Sequence, residues 1–302
     1  MAGLAHMRSA RRLRLAAATA MGIVLVAVAT AAAFPAVRHI ASGWWNRPDK
    51  LAALTDNPQV HYEDGALDRA RTVAALLPAA IARIESIHGR PFARPVTIGV
   101  YVSPEAFAAA NAGGYSGSVG LAFLGRVILS PDLFARQRQR LPAILTHELC
   151  HAHLQSWMSQ LAYIRLPNWF KEGLAVMVSG GGGAEGVSGL QARDAIRRGD
   201  HIAIAGTRSV LASSMFEFMS IRFELPPEIP TTSFRIQMAY RQAGLFVAFL
   251  QDTNPVAFGT MMGAILDGRP FAEAVEAGYH TDVESLWLRF VRLPGQSTAV
   301  TE

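Results

Sequence analysis

The chain has one cysteine, Cys150, among 302 residues, which excludes an internal disulfide framework. Charge is sparse as well: Asp, Glu, Lys and Arg make up 17% of residues, and the net charge is +5. Four of those positive charges are Arg8, Arg11, Arg12 and Arg14, so the residues from 38 onward carry only +1. No basic footprint for a nucleic-acid partner remains. No internal repeat is present. The glycine run Gly180–Gly183 lacks both the preceding strand and the following Lys-Ser/Thr of a phosphate loop, and reads as a flexible turn after a helix.

Hydrophobic residues make up 51% of the chain, enough for a folded core. Part of this lies in one run without charge, LAAATAMGIVLVAVATAAAFPAV from Leu15 to Val37. As a helix it can cross the roughly 30 Å hydrocarbon layer, with the arginines before it retained in the cytoplasm. The small residues Ala31 to Ala33 also fit a signal-peptidase site, so cleavage after Ala33 competes with retention as an anchor. Trp44 and Trp45, in ASGWWNRPDK, suit the level of a membrane surface. The expected layout is an anchor or signal segment with linker over 1–43, a folded domain over 44–293 and a disordered tail over 294–302. The domain is expected on the periplasmic or outer side of a bacterial inner membrane, or secreted if the segment is cleaved. A lone cysteine fits that oxidising setting.

Periodicity divides the domain into two halves. Leu67, Ala70, Val73, Ala74, Leu77, Ile81, Ile84 and Ile87 keep the spacing of an amphipathic helix, with Pro78 as a candidate kink. VTIGVYV, Val96–Val102, is β-branched and bounded by prolines, so it is a strand; Gly120–Ser130 reads as a second strand or a hairpin. Helical patterns follow over Leu141–Leu161, Trp169–Val178, Gln191–Arg198, Ile236–Gln251, Val256–Leu266 and Val283–Val291, the last opened by a capping box from Thr281 to Glu284. A small sheet-containing part followed by a helical half predicts an α+β fold.

The chemistry is concentrated in ILTHELCHAHLQ, Ile144–Gln155. His147 and His151 are four apart, so on a helix they sit one above the other and can grip one ion. Glu148 projects from a neighbouring edge, where it can reach a metal-activated water without being consumed as a ligand, the H-E-x-x-H arrangement. Catalytic zinc usually takes three protein ligands and leaves a fourth place for water. PNWFKEGLAVM, Pro167–Met177, offers Glu172 as the third, because an acid in so apolar a segment is costly to bury without a cationic partner. Gly173 beside it permits close approach to a neighbouring helix. Cys150, between the histidines, is expected as a small apolar core residue. His153 points to another side of the helix, and His61, His88, His201 and His280 have no ligand spacing and are expected at the surface.

HELCH followed by WFKEGLA resembles the gluzincin metallopeptidases, whose third zinc ligand is the glutamate of a tryptophan-x-x-glutamate-glycine segment. AYRQAGLFVAFLQD, Ala239–Asp252, is similar to the segment after the ligands in aminopeptidase-N-like and peptidase-MA-like domains, where a tyrosine stabilises the transition state; Tyr240 falls at that tyrosine. The last helices also resemble the end of small peptidase-MA-like domains, so the likeness covers residues 59–292. It implies a zincin-like domain and one Zn²⁺ held by His147, His151 and Glu172. Glu148 would be the general base, Tyr240 the oxyanion donor, and a peptide or protein the substrate. Aminopeptidases of this group bind the substrate amine through a glycine-x-methionine-glutamate-asparagine motif, whereas Gly113–Ser130 contains no acid. An endopeptidase is therefore favoured; the alternatives are a non-catalytic binding module of the same fold and another zinc amide hydrolase.

Overall fold

The computed structural model describes residues 2–113, 117–204 and 231–292, with the side chains at 2–14, 27, 31, 32, 36, 231 and 232 outside that description. The expected tail at 294–302 lies outside the described residues. The architecture is α+β. Two helices, α1 (Ala2–Ala33) and α2 (Pro35–Trp45), precede a five-stranded mixed sheet. Pro35, at the first position of α2, divides the uncharged run into two helices at Phe34. Among the described residues no helix is long and apolar enough to cross a membrane.

The strands are β1 (Ala52–Leu54), β2 (Asn57–Tyr62), β3 (Thr97–Val100), β4 (Gly120–Phe123) and β5 (Arg126–Leu129), in the spatial order β1-β2-β3-β5-β4. β2, β3 and β5 are parallel, while β1 and β4 pair antiparallel at the two edges. The parallel β2–β3 pair needs a crossover, which α3 (Leu67–His88) provides, with Pro78 kept inside it. β4 and β5 form a two-residue hairpin in which Leu124 and Gly125 have φ of 51° and 74°. Both central residues of such a turn need positive φ, which strains a leucine.

After α4 (Pro104–Ala110) and α5 (Pro131–Ala135), the helical half begins with α6 (Leu141–Trp157). Twelve of its 17 residues are buried, so α6 is enclosed on all sides rather than amphipathic. It ends before the expected Leu161 because Met158 is extended and the Ser159 side chain accepts from Ala162 N–H, opening α7 (Gln160–Arg165). α8 (Asn168–Val178), α9 (Gly189–Arg197), α10 (Thr231–Thr253), α11 (Pro255–Leu266), α12 (Phe271–Tyr279) and α13 (Val283–Arg292) complete the fold. The cap of α13 is Asp282, which accepts from Ser285 N–H at 2.6 Å, rather than the expected Thr281.

His88, expected at the surface, lies in the core beside His153, the histidine expected to point to another side of α6. His88, the last residue of α3, and His153 are 2% and 0% exposed. Their Nδ1 atoms are 2.9 Å apart, His153 Nε2 lies 3.0 Å from Arg90 O, and His88 Nε2 lies 3.4 Å from Cys150 Sγ. One assignment satisfies every ring nitrogen. His153 donates from Nε2 to Arg90 O, His88 donates from Nδ1 to His153, and the Cys150 thiol donates to His88 Nε2. The chain is neutral and ties the end of α3 to the back of α6. Cys150 is fully buried, as expected, and His61 and His201 are half-buried.

Burial, reinforced by neighbouring His153, holds the His88 pKa well below its ordinary value. In the unfolded chain His88 takes a proton near about pH 6.5, so the stability from this site is complete above that pH and falls below it. As the pH drops from about 7 to 5, the melting temperature of chelator-treated wild type should move further downward than that of His88→Asn, the raised pKa of His147 acting in the opposite sense in both. Equal slopes for the two proteins would remove this assignment.

α8 and α10 cross with almost no side chain between them. A Cβ on Gly173 would stand 2.6 Å from Ala243 O, and one on Gly244 2.7 Å from Val176 Cγ1. Gly173→Ala should therefore destabilise by about 1–3 kcal/mol, seen as a lower melting temperature of the metal-free protein; an unchanged melt would show that the crossing is looser than described.

Candidate metal centre

Three donor atoms meet where α6 faces α8. His147 Nε2 and His151 Nε2 are 3.2 Å apart, and Glu172 Oε2 lies 3.3 Å from the first and 3.5 Å from the second. Ligands about 2.0–2.2 Å from a tetrahedral ion are spaced by about 3.4 Å, so a point within bonding reach of all three exists. Among the described residues this is the one group of three His, Cys, Asp or Glu side chains so arranged. The trio is placed as the sequence predicts, and it could hold a metal ion.

The surrounding hydrogen bonds fix which nitrogens face that point. His147 Nδ1 is 2.8 Å from Gly182 O, an acceptor only, so Nδ1 carries the hydrogen and Nε2 presents a lone pair. His151 Nδ1 lies 3.4 Å from the Tyr163 hydroxyl, which can accept in the same way. Two imidazole lone pairs and a carboxylate thus converge, an arrangement that repels itself unless a cation stands between them. Burial raises the Glu172 pKa and the two histidines lower it by more, leaving it far below the usual carboxylate range. Burial opposes a charge on His147, but the Glu172 hydrogen bond and the two nearby carboxylates outweigh this and raise its pKa. The same carboxylates would favour a metal cation between the donors.

Glu148 does not join the trio. Its carboxylate accepts from Ala122 N–H on β4, and burial raises its pKa against the pull of His147 and His151. Gly120 makes this possible, since a Cβ there would stand 2.8 Å from Glu148 Cγ and 3.1 Å from Oε1. Tyr240 reaches the same centre from α10. Its ring stacks 6.2 Å from that of His147, its hydroxyl donates to Glu172, and burial together with that carboxylate raises its pKa well above the ordinary value. The close α8–α10 crossing is the reason, because Gly173 adjoins Glu172 and Tyr240 lies one turn before Ala243 and Gly244. These five residues line a cleft of about 540 Å³ that extends along β4.

Several residues of the site carry no periodic or motif signal. Gly182 belongs to the loop expected as a plain turn, where Gly180, Gly181 and Gly183 have φ of 71°, 113° and 85° and aim a carbonyl at His147. Tyr163 follows the break after α6. Gln155 Oε1 accepts from Gly125 N–H at 2.7 Å and its Nε2 donates to Ala122 O at 3.3 Å, while the same amide donates to the Tyr163 hydroxyl. A chain of contacts therefore runs from His151 through Tyr163 and Gln155 to the strained β4–β5 turn. Gly120 had a legible cue, as a glycine inside a strand pattern marks close approach.

Comparison with protein-family models, curated proteins and solved structures finds no match to this chain.

Removing the Tyr163 hydroxyl takes the acceptor from His151 Nδ1. Tyr163→Phe should weaken metal affinity by about 10–100-fold, measured by chelator competition, with the melt of the metal-free protein unchanged. Wild-type affinity in that variant would show that the 3.4 Å contact does not orient the ring.

Proposed function

We propose that the protein is a zinc-dependent metallopeptidase that cleaves within peptide chains. The observation that carries this reading is the triangle of His147 Nε2, His151 Nε2 and Glu172 Oε2, with Glu148 beside it and free of it. Nitrogen and oxygen donors in this number suit zinc, and three protein ligands leave a place open towards the cleft. When bound, the ion would act as a Lewis acid and lower the pKa of a water towards about 7.

The chain's own residues supply the rest. Glu148 takes the proton of the attacking water and later delivers it to the leaving amine, and its raised pKa brings it closer to working pH for both transfers. Tyr240 turns its hydroxyl to the oxygen that becomes negative. Ala122 has both main-chain groups engaged, the N–H by Glu148 and the carbonyl by Gln155. A peptide docked along the edge strand therefore pairs with positions upstream of Ala122, and main-chain pairing is indifferent to chain ends. No acid stands between Gly113 and Ser130 to hold a free amine.

In this reading the uncharged run from Leu15 behind four arginines directs the domain across a membrane, as an anchor or as a leader that is removed. Carbonate-washed membranes retain the full chain in the first case, and a soluble product beginning near Phe34 appears in the second.

Glu148→Gln keeps the size and the ligands but accepts no proton. It should retain zinc and melt normally while losing nearly all peptide hydrolysis. Tyr240→Phe should keep zinc and lower the catalytic rate by about 10²–10³-fold. Zinc analysis, melting and peptide cleavage on both variants check this; wild-type cleavage by Glu148→Gln would sink the peptidase reading.

A further inference from the structure

The helix α2 leaves much of its apolar stripe exposed. Val37, Ile40 and Trp44 recur at helical spacing on one face and are 37%, 48% and 50% exposed. Ser42 and Gly43 make the contacts to the fold. Ser42 Oγ donates to Ala109 O at 2.8 Å, and Gly43 is buried so closely that a Cβ would stand 2.7 Å from Ala112 Cβ. An amphipathic helix ordinarily turns its apolar face to the core, so this exposure leaves the stripe for an apolar phase outside the fold.

Two further observations identify that phase. α2 continues directly from α1, whose Leu15, Ile23, Val24, Leu25, Val26 and Val28 are each more than half exposed. The stripe also ends in a tryptophan pair with cations against it: Arg47 and Arg126 lie 5.3 and 5.7 Å from the Trp44 ring and Lys50 lies 4.4 Å from that of Trp45. Indoles flanked by cations match the headgroup level of a bilayer, apolar on one side and anionic on the other. An interfacial helix is held by one face and needs no spanning segment. The placement has a consequence for the cleft, because Ala112, against which Gly43 packs, lies between Asn111 and Gly113 in the cleft wall.

We propose that α2 lies in the lipid–water interface through Val37, Ile40, Trp44 and Trp45, and so holds the cleft at the bilayer surface, where its substrate is a polypeptide held at the same membrane. The substrate half rests on the peptidase reading; the lipid seat does not.

The test uses the full chain with vesicles of phosphatidylcholine and phosphatidylglycerol, with or without brominated acyl chains. Brominated lipid should quench most of the emission that is lost in the Trp44→Gln/Trp45→Gln variant. Val37→Asp/Ile40→Asp, at exposed positions, should melt as wild type yet lose that quenching. Vesicle-bound protein without quenching overturns the seat, as does a self-associated form in detergent that Val37→Asp/Ile40→Asp dissolves, since the stripe then meets a second copy. A peptide bearing an acyl chain in these vesicles should be cleaved at least about tenfold faster than the same peptide free in solution, an advantage that Val37→Asp/Ile40→Asp removes. Equal rates with quenching intact overturn the substrate half. If wild type cleaves neither peptide while quenching persists, the substrate half fails together with the peptidase reading and the lipid seat stands.

Discussion

Three electron-pair donors, two imidazoles and a carboxylate, are forced to within 3.5 Å of one another between α6 and α8. Left without a cation this arrangement is unfavourable, and in a buried site the repulsion is poorly screened. The surrounding fold keeps the donors from moving apart. α8 rests on an aromatic floor in which Trp169 meets Phe246 and Phe271 at ring distances of 5.4 and 5.6 Å, and α10 is pressed against it at Gly173. Behind α6, the His88–His153 pair ties the helix to the end of α3. The packing thus holds together a donor cluster that could take a metal ion.

The same enclosure couples the ion site to the sheet edge. α6 carries Glu148 and Gln155, and both bond to Ala122, one to its N–H and the other to its carbonyl. Any shift of β4 therefore reaches Glu148 directly, and reaches His151 through Gln155 and Tyr163. Leu124, held at a φ of 51°, is supported by Gln155 at the next residue. Strain of this kind persists where the surroundings over-determine it, and here the over-determination comes from the helix that bears His147 and His151.

Which parts of this were legible in the sequence follows from the range of the interactions. His147 and His151 are related by one helical turn, so their spacing alone places them. Glu172 was legible because an acid among Trp169, Phe170, Leu174 and Met177 has to be neutralised. The strand at Thr97–Val100 and the hairpin after Gly120 also follow from local pattern. His88 and Tyr163 were not legible, because each meets its partner only through the packing of separate elements: α3 against α6 for the first, α7 against α6 for the second. The end of α6 depends on a cap at Ser159 that competes with a continuing hydrophobic period. Gly182 illustrates a further limit, since the sequence shows that a glycine run can turn but not where its carbonyls will point.

The two glutamates nearest the ion site show how environment separates identical side chains. Burial acts on both and would keep both neutral. For Glu172 the two histidine rings outweigh it, and the pKa falls far below the ordinary value; for Glu148 the same rings are too weakly coupled to prevail, and the pKa rises. A group held as an anion suits a ligand, and a group lifted towards neutral pH suits a proton carrier. In the proposed metal centre, exchanging the two would leave a reluctant ligand and a base too weak to accept a proton. Position relative to His147 produces this division: Glu148 is the next residue on the same helix and is turned to β4, whereas Glu172 comes from α8 and meets the rings head-on. The H-E-x-x-H spacing turns Glu148 away from the two histidine rings, and the α6–α8 packing brings Glu172 against them.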